Sequence, residues 1–512
     1  MGSFEPESTP SSSARIAEDA PAPYCDNRLS RLRIVNWTTV PVSNEFAAGA
    51  ISLYLETDQP ILGLFDADLF VQDLVEPRSR FCSSLLVNAL LYWACQAYAS
   101  VNQHAIAFGH SFFVEADNLW SLEQKNDSLT TVSAAQFLGI GSVYYGKDGG
   151  LPYLSQGMKM AQRMKLLGVP DTITEQALTL EPQGEWLRAM SCTAWGVFNW
   201  ATMRSFLFQE EDLSIRYPPT LPIPRFEKEC SDLWEGDKRP TSQPKSRLSS
   251  TFPTLCEFWT ITSSWVLAYY KHEHKLPIEG ISLEYAKSVY QKLLSWSDEL
   301  PAMLARGDQC TDHAATMHIW FHVSIISIFR PFSNPLAQRP VSLVTSRNHY
   351  PREIYTASLN QLKHMIRVFD CKYSSSSYGV LWHVALLHVA NAMVADVNEP
   401  ERLPYFMLCI SCYQDLLRSY RVVHAVIKGL LSMAWGKGVI SSSMAQSILQ
   451  EVQRNGKGHT ALDNIKSTFV ADLDLALIDA SAAQVETLAE SFDAMSMLED
   501  MTVGTDYVIA RD

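Results

Sequence analysis

Paired cysteines, strand-like alternation, long apolar runs and excess basic charge are all scarce in this 512-residue chain. Each scarcity removes a class of protein. The ten cysteines are scattered from Cys25 to Cys412 without regular spacing, which excludes a disulfide-stapled miniprotein and fits reduced thiols in a nucleo-cytoplasmic compartment. The opening Met1-Gly-Ser-Phe-Glu-Pro-Glu-Ser has neither a basic n-region nor an apolar h-region, so no secretory signal is expected. Pro6 stands where N-myristoylation requires Ser or Thr. The longest apolar run, near Gly379 to Ala395, is interrupted by His383, His388 and Asn391. It falls short of the ~20 apolar residues that a membrane span needs, so no membrane partner is expected. With 41 Lys plus Arg against 55 Asp plus Glu, the net charge is −14. Such a chain has no overall attraction to phosphate, and nucleic-acid contact would need a local basic module.

Catalytic and ligand-holding motifs are also wanting. Neither a phosphate loop nor a dinucleotide glycine fingerprint occurs; Gly139-Ile-Gly141 matches half of the latter, but Tyr144 fills the third glycine's place. No Gly-x-Ser-x-Gly elbow is present, and Gly109-His110-Ser111 reads as a turn between helices. His318 and His322 are one helical turn apart with His313 nearby, yet Ile319 follows the first histidine where a zinc protease needs Glu. They read as a packed or surface pair. Cys409 and Cys412 form a Cys-x-x-Cys inside the apolar run Tyr405 to Leu417, without a second pair, and read as buried thiols on one helix face. No catalytic residue, metal ligand or cofactor is expected.

What the chain has is helix-forming apolar periodicity. Hydrophobic residues make up 47% and charged residues 19%, enough for a sizeable core. Leu86, Leu90, Trp93 and Ala97 recur at spacings of four, three and four, one face of a helix across Ser83 to Tyr98. Leu283, Ala286, Tyr290, Leu293 and Leu294 repeat the pattern before Pro301, and a helix near Tyr153 to Leu167 stops at Gly168. No βαβ rhythm appears, so the fold class is all-α: a large helical domain of antiparallel packed helices. Tryptophans such as Trp93, Trp195 and Trp296 fall within these patterns and read as core filling.

The expected organisation is a disordered segment over 1–30, a first helical part over 31–235, an exposed linker over 236–250, a second helical part over 251–455 and a tail over 456–512. Four prolines force Tyr217-Pro-Pro-Thr-Leu-Pro-Ile-Pro224 into an extended segment. The linker's Lys238, Arg239, Lys245 and Arg247 also admit a nuclear-import signal. The four serines from Ser374 to Ser377 read as a connecting loop.

The last 42 residues, from Ala471, hold ten acids and one base, Arg511. The acids alternate with Leu473, Leu475, Leu477, Phe492, Met495 and Leu498. Two arrangements remain open. Repulsion between the acids keeps these six exposed as a partner-binding activation segment, or the stretch docks as a C-terminal helix with an acidic outer face.

Five segments together resemble the fungal-specific transcription factor domain, the helical middle region of fungal zinc-cluster regulators. They are Phe81 to Cys95, Tyr153 to Gly168, Trp186 to Asn199 with the Pro218–Pro224 stretch, Leu294 to Pro301, and His322 to Phe332 with its Arg330-Pro331-Phe332 end. The resemblance implies a nuclear transcription regulator that works through partners: the transcription machinery or a DNA-bound factor, with a homodimer as a further arrangement. The family's six-cysteine zinc unit has no counterpart in this sequence, since Cys25 stands alone before Cys82. No direct DNA contact is therefore expected from this chain. The alternative is a soluble α-helical enzyme or small-ligand-binding protein, with a pocket lined by aromatics and the His313–His322 face.

Overall fold

The computed structural model describes residues 24–147, 150–168, 184–225, 245–271, 281–333, 350–455, 465 and 467–509. Helix starts follow local chemistry. Ser43, Asp66, Ser83, Ser128 and Ser282 each accept a backbone N–H three residues on, from Phe46, Leu69, Leu86, Thr131 and Tyr285. These N-caps satisfy donors that a helix's first turn leaves orphaned. They open α1 (Asn44–Thr57), α3 (Ala67–Val75), α4 (Ser84–Tyr98), α6 (Leu129–Tyr145) and α10 (Leu283–Asp298). Between the first two lies α2 (Gln59–Leu62), with a proline at its start and Gly63 in the left-handed region, φ 54°, at its end.

The remaining helices are α5 (Ala105–Glu123), α7 (Gly150–Arg163), α8 (Gly184–Phe208), α9 (Lys245–Tyr269), α11 (Asp312–Ser333), α12 (Tyr350–Lys372) and α13 (His383–Ala395). After them come α14 (Arg402–Leu416), α15 (Val422–Gly436), α16 (Ser442–Asn455) and α17 (Val485–Ile509). Among the described residues the only β pairing is one isolated antiparallel bridge, Val470 to Gln484. The protein is all-α. Sequence neighbours pack together, α4 on α5, α6 on α7, α11 on α12 and α13 on α14.

One continuous core runs from Leu29 to Phe492. Trp93, Trp200, Trp259, Trp265, Trp320 and Trp382 are all less than 2% exposed, each filling a gap between helices. Rings join the two helical parts. Phe206 of α8 lies 5.5 Å from both Trp265 and Trp320, and Trp93 lies 5.8 Å from Tyr420. Parts 31–235 and 251–455 thus share one interior.

Several boundaries differ from expectation. Of the disordered segment expected over 1–30, residues 1–23 lie outside the described residues. From Tyr24 the chain is packed: the Cys25 N–H donates to Ser52 Oγ at 2.8 Å and Leu29 is buried. Leu29 burial, the Cys25 bond to Ser52, the Asp26 cap and the Arg28 pairs to Asp26 and Asp68 together tie this stretch down. The expected linker over 236–250 lies outside the described residues up to 244, and α9 takes in the rest. Ser374–Ser377 forms a 3-10 turn with Ser375 buried. Residues 217–225 are non-helical, as their prolines demand, and Trp195 Nε1 donates to the Leu221 carbonyl at 3.0 Å.

Candidate functional site

The residues singled out in the sequence lie on several elements. The acidic segment from 467 to 499 returns to the body instead of trailing from it. Asn391 of α13 grips it: its Nδ2 donates to the Ala471 carbonyl at 2.8 Å and its Oδ1 accepts from the Leu473 N–H at 2.9 Å. Arg330 of α11 donates to Asp474 at 2.8 Å, and Lys428 of α15 pairs with Asp493 at 2.8 Å. Gly429 lets α17 come close, because a Cβ there would stand 3.3 Å from that of Leu488. Phe492 meets Trp435 edge-on at 5.9 Å.

Of the six expected partner-binding residues, Leu473 and Phe492 are buried, and Leu475, Leu477 and Met495 are half-buried. Leu498 is 64% exposed, and its neighbour Met497 is 66% exposed. For Leu473 and Phe492 the structure adopts the docked arrangement. Magnitude explains why. Phe469, Val470, Leu473, Val485, Leu488 and Phe492 are all under 9% exposed. Together they contribute on the order of 10 kcal/mol as an upper figure. Repulsion among solvated carboxylates is far weaker, each pair giving about 1 kcal/mol or less. The segment therefore divides: Phe469, Val470, Leu473, Val485, Leu488 and Phe492 join the core, and beyond Phe492 apolar and acidic side chains share an exposed helix end.

The histidine and cysteine clusters resolve into packing. His313 shares a hydrogen bond with Thr251 at 2.7 Å, and His318 Nε2 donates to the Leu304 carbonyl at 2.8 Å. Burial disfavours the charged form of His322, lowering its pKa to about 3. Among the described residues no group of three His, Cys, Asp or Glu side chains could hold a metal. Cys409 and Cys412 are both buried, and burial pushes their thiols above the ordinary range. Gly109-His110-Ser111 is not a turn between helices but lies within α5. The reason is packing: Gly109 sits where its Cβ would be 3.3 Å from that of Cys95, so it marks a close crossing of α4 and α5.

One unusual group escaped sequence reasoning. Asp58, at the end of α1, is fully buried and accepts from Trp93 Nε1 at 2.8 Å. Trp93, Tyr144 and Tyr420 pack with ring centres 5.6–5.9 Å apart beside it. Burial raises its pKa to about 7, against the lowering effect of the Trp93 hydrogen bond. Its sequence context, Asp58-Gln-Pro60, looks like a helix start, and nothing local distinguishes a buried acid from a capping one.

Comparison with known proteins adds the functional frame. No family model matches, and no solved structure matches. Curated relatives do. The nitrogen assimilation transcription factor nit-4 of Neurospora crassa is 26% identical over 74% of this chain and 36% of its own length. The nitrogen assimilation transcription factor nirA of Emericella nidulans is 24% identical over 66% of this chain and 39% of its own. The chain is similar to fungal transcription factors. The notoamide biosynthesis transcriptional activator notL' of Aspergillus versicolor is 21% identical over 78% of this chain and 65% of its own length. The resemblance drawn from the five helical segments thus stands, and the chain spans little more than a third of the two nitrogen factors.

Proposed function

We propose that this chain is the regulatory body of a fungal transcription regulator, acting in the nucleus through protein contacts. The observation that carries this is the similarity to three transcription factors over 66–78% of the chain. The helical core supports the reading, because its aromatics fill space between helices instead of lining a catalytic cleft. The surface that fits a partner is the exposed end of α17, where Met497 and Leu498 stand among Glu490, Asp493 and Glu499. Its complement is an apolar groove with a basic rim, as the transcription machinery or a DNA-bound factor would present. DNA contact is assigned to that partner.

The test fuses the whole chain to an unrelated DNA-binding domain beside a reporter. Activation above the DNA-binding domain alone is expected, with a several-fold loss in Met497→Asp/Leu498→Asp at unchanged melting temperature. A silent fusion overturns the activating role, and an unaffected double variant removes the α17 end from it. Exclusion of the tagged chain from nuclei in every growth condition would contradict the compartment.

A further inference from the structure

Helices α8, α9 and α11 converge beneath residues 473–477, and the space between them is not filled. A cavity of about 20 Å³ remains, room for about one or two water-sized groups. Arg330 and Gln209 line it, with Tyr269 and Tyr270 as walls and Leu473 and Leu477 as a roof. Arg330 is 5% exposed, and its Nη1 is engaged by Asp474 while its Nη2 is buried without a partner. The Oε1 of Gln209 is also buried without a partner. Two further polar groups at the wall are occupied: the Tyr269 hydroxyl donates to the Ile328 carbonyl at 2.9 Å, and Ser327 Oγ pairs with His388 Nε2 at 3.1 Å. One strong donor and one acceptor are left over. On the same three helices, Ser205 Oγ, Thr262 Oγ1, Trp265 Nε1 and Ser324 Oγ are unpartnered as well. Native interiors rarely leave such groups unmet, and a concentration of them marks a place where something else completes the bonding.

We propose that this cavity is a binding site for a small uncharged ligand whose end group offers an acceptor to Arg330 and a donor to Gln209, a primary carboxamide or urea-type group. Charge selects the class. The guanidinium already faces the Asp474 carboxylate and lies near that of Asp472, so an incoming anion meets two negative groups, whereas a carboxamide adds no charge. Geometry selects the size: the cavity admits a small head group, with Leu473 and Leu477 over it. Because those two leucines belong to the acidic segment, an occupied site holds that segment against the body. The assignment is independent of any transcriptional role.

Acetamide and its isosteric anion, acetate, separate the outcomes on the purified full chain. Ligand-observed NMR titration is expected to show saturable acetamide binding at millimolar concentration, with acetate at least tenfold weaker. Gln209→Gly is the decisive variant, because Gln209 holds φ 52°, a left-handed conformation that glycine adopts freely. It is expected to keep or raise the melting temperature while losing acetamide affinity at least tenfold. Absence of saturable acetamide binding, equal binding by Gln209→Gly, or acetate binding as tight as acetamide would overturn the proposal and leave the cavity to ordered water.

Discussion

Arg330 and Asp474 are 144 residues apart in the chain and 2.8 Å apart in the fold. The pair joins the end of α11 to the acidic segment, and Arg330 is buried while the Asp474 side chain is 16% exposed. Removing the carboxylate leaves a buried cation without its directly bonded counter-charge, with only the more distant Asp472 near it. Asp474→Asn is expected to destabilise the protein by about 3 kcal/mol, read as a lower urea midpoint at unchanged slope.

Two apolar residues six positions apart on α17 separate core from surface. Phe492 is 1% exposed and Leu498 is 64% exposed. Phe492→Ala is expected to cost about 3–5 kcal/mol, and Leu498→Ala to stay within about 0.5 kcal/mol. Thermal denaturation of both checks this; equal losses would mean that the end of α17 is also packed.

Asp58 introduces a pH dependence whose sign is unusual for an acid. Its folded pKa of about 7 exceeds the ordinary 3.8, so between those values the folded state holds a proton that the unfolded state has lost. Its contribution to stability is complete below about pH 4 and disappears as pH rises to about 7. Asp58→Asn keeps an acceptor for Trp93 without the charge. Its advantage over the parent protein is expected to grow across that window to at most about 4 kcal/mol. His383, lowered to about 4 by burial, and His388, lowered to about 3, act oppositely, withdrawing stability as pH falls from about 6.5. Urea titrations from pH 4 to 8 separate the two.

Gly196 marks a tight backbone-to-backbone crossing in the first half. A Cβ there would meet the Gly63 carbonyl oxygen at 2.6 Å and that of Leu62 at 2.8 Å, both backbone atoms that cannot step aside. Gly196→Ala is expected to cost about 1–3 kcal/mol. Gly436→Ala, with no heavy atom within 4 Å, is expected to be neutral or to gain about 0.5 kcal/mol. The two melting temperatures should move apart.

Much of the helix pattern was legible because its causes are local. Ser83 and Ser282 cap the helices that the Leu86–Ala97 and Leu283–Leu294 spacings announce, and the prolines from 218 to 224 keep that stretch out of a helix. The acidic segment was not legible in the same way, because its alternation suits both an exposed tail and a docked helix. Its neighbours in space, Asn391, Lys428 and Trp435, are distant in sequence. Gly109 is ambiguous for a related reason: a glycine at a helix crossing and a glycine at a bend look alike without the partner helix.

Apolar period, caps and breakers act within a few residues, so the residue order alone carries the helical class and the identity of the large core residues. Which acids face water, that Phe492 is core while Leu498 is surface, and that the polar ends of Arg330 and Gln209 meet at one cavity come from the folded arrangement. Burial and pairing are properties of neighbours brought together by the whole chain, and no local pattern encodes them.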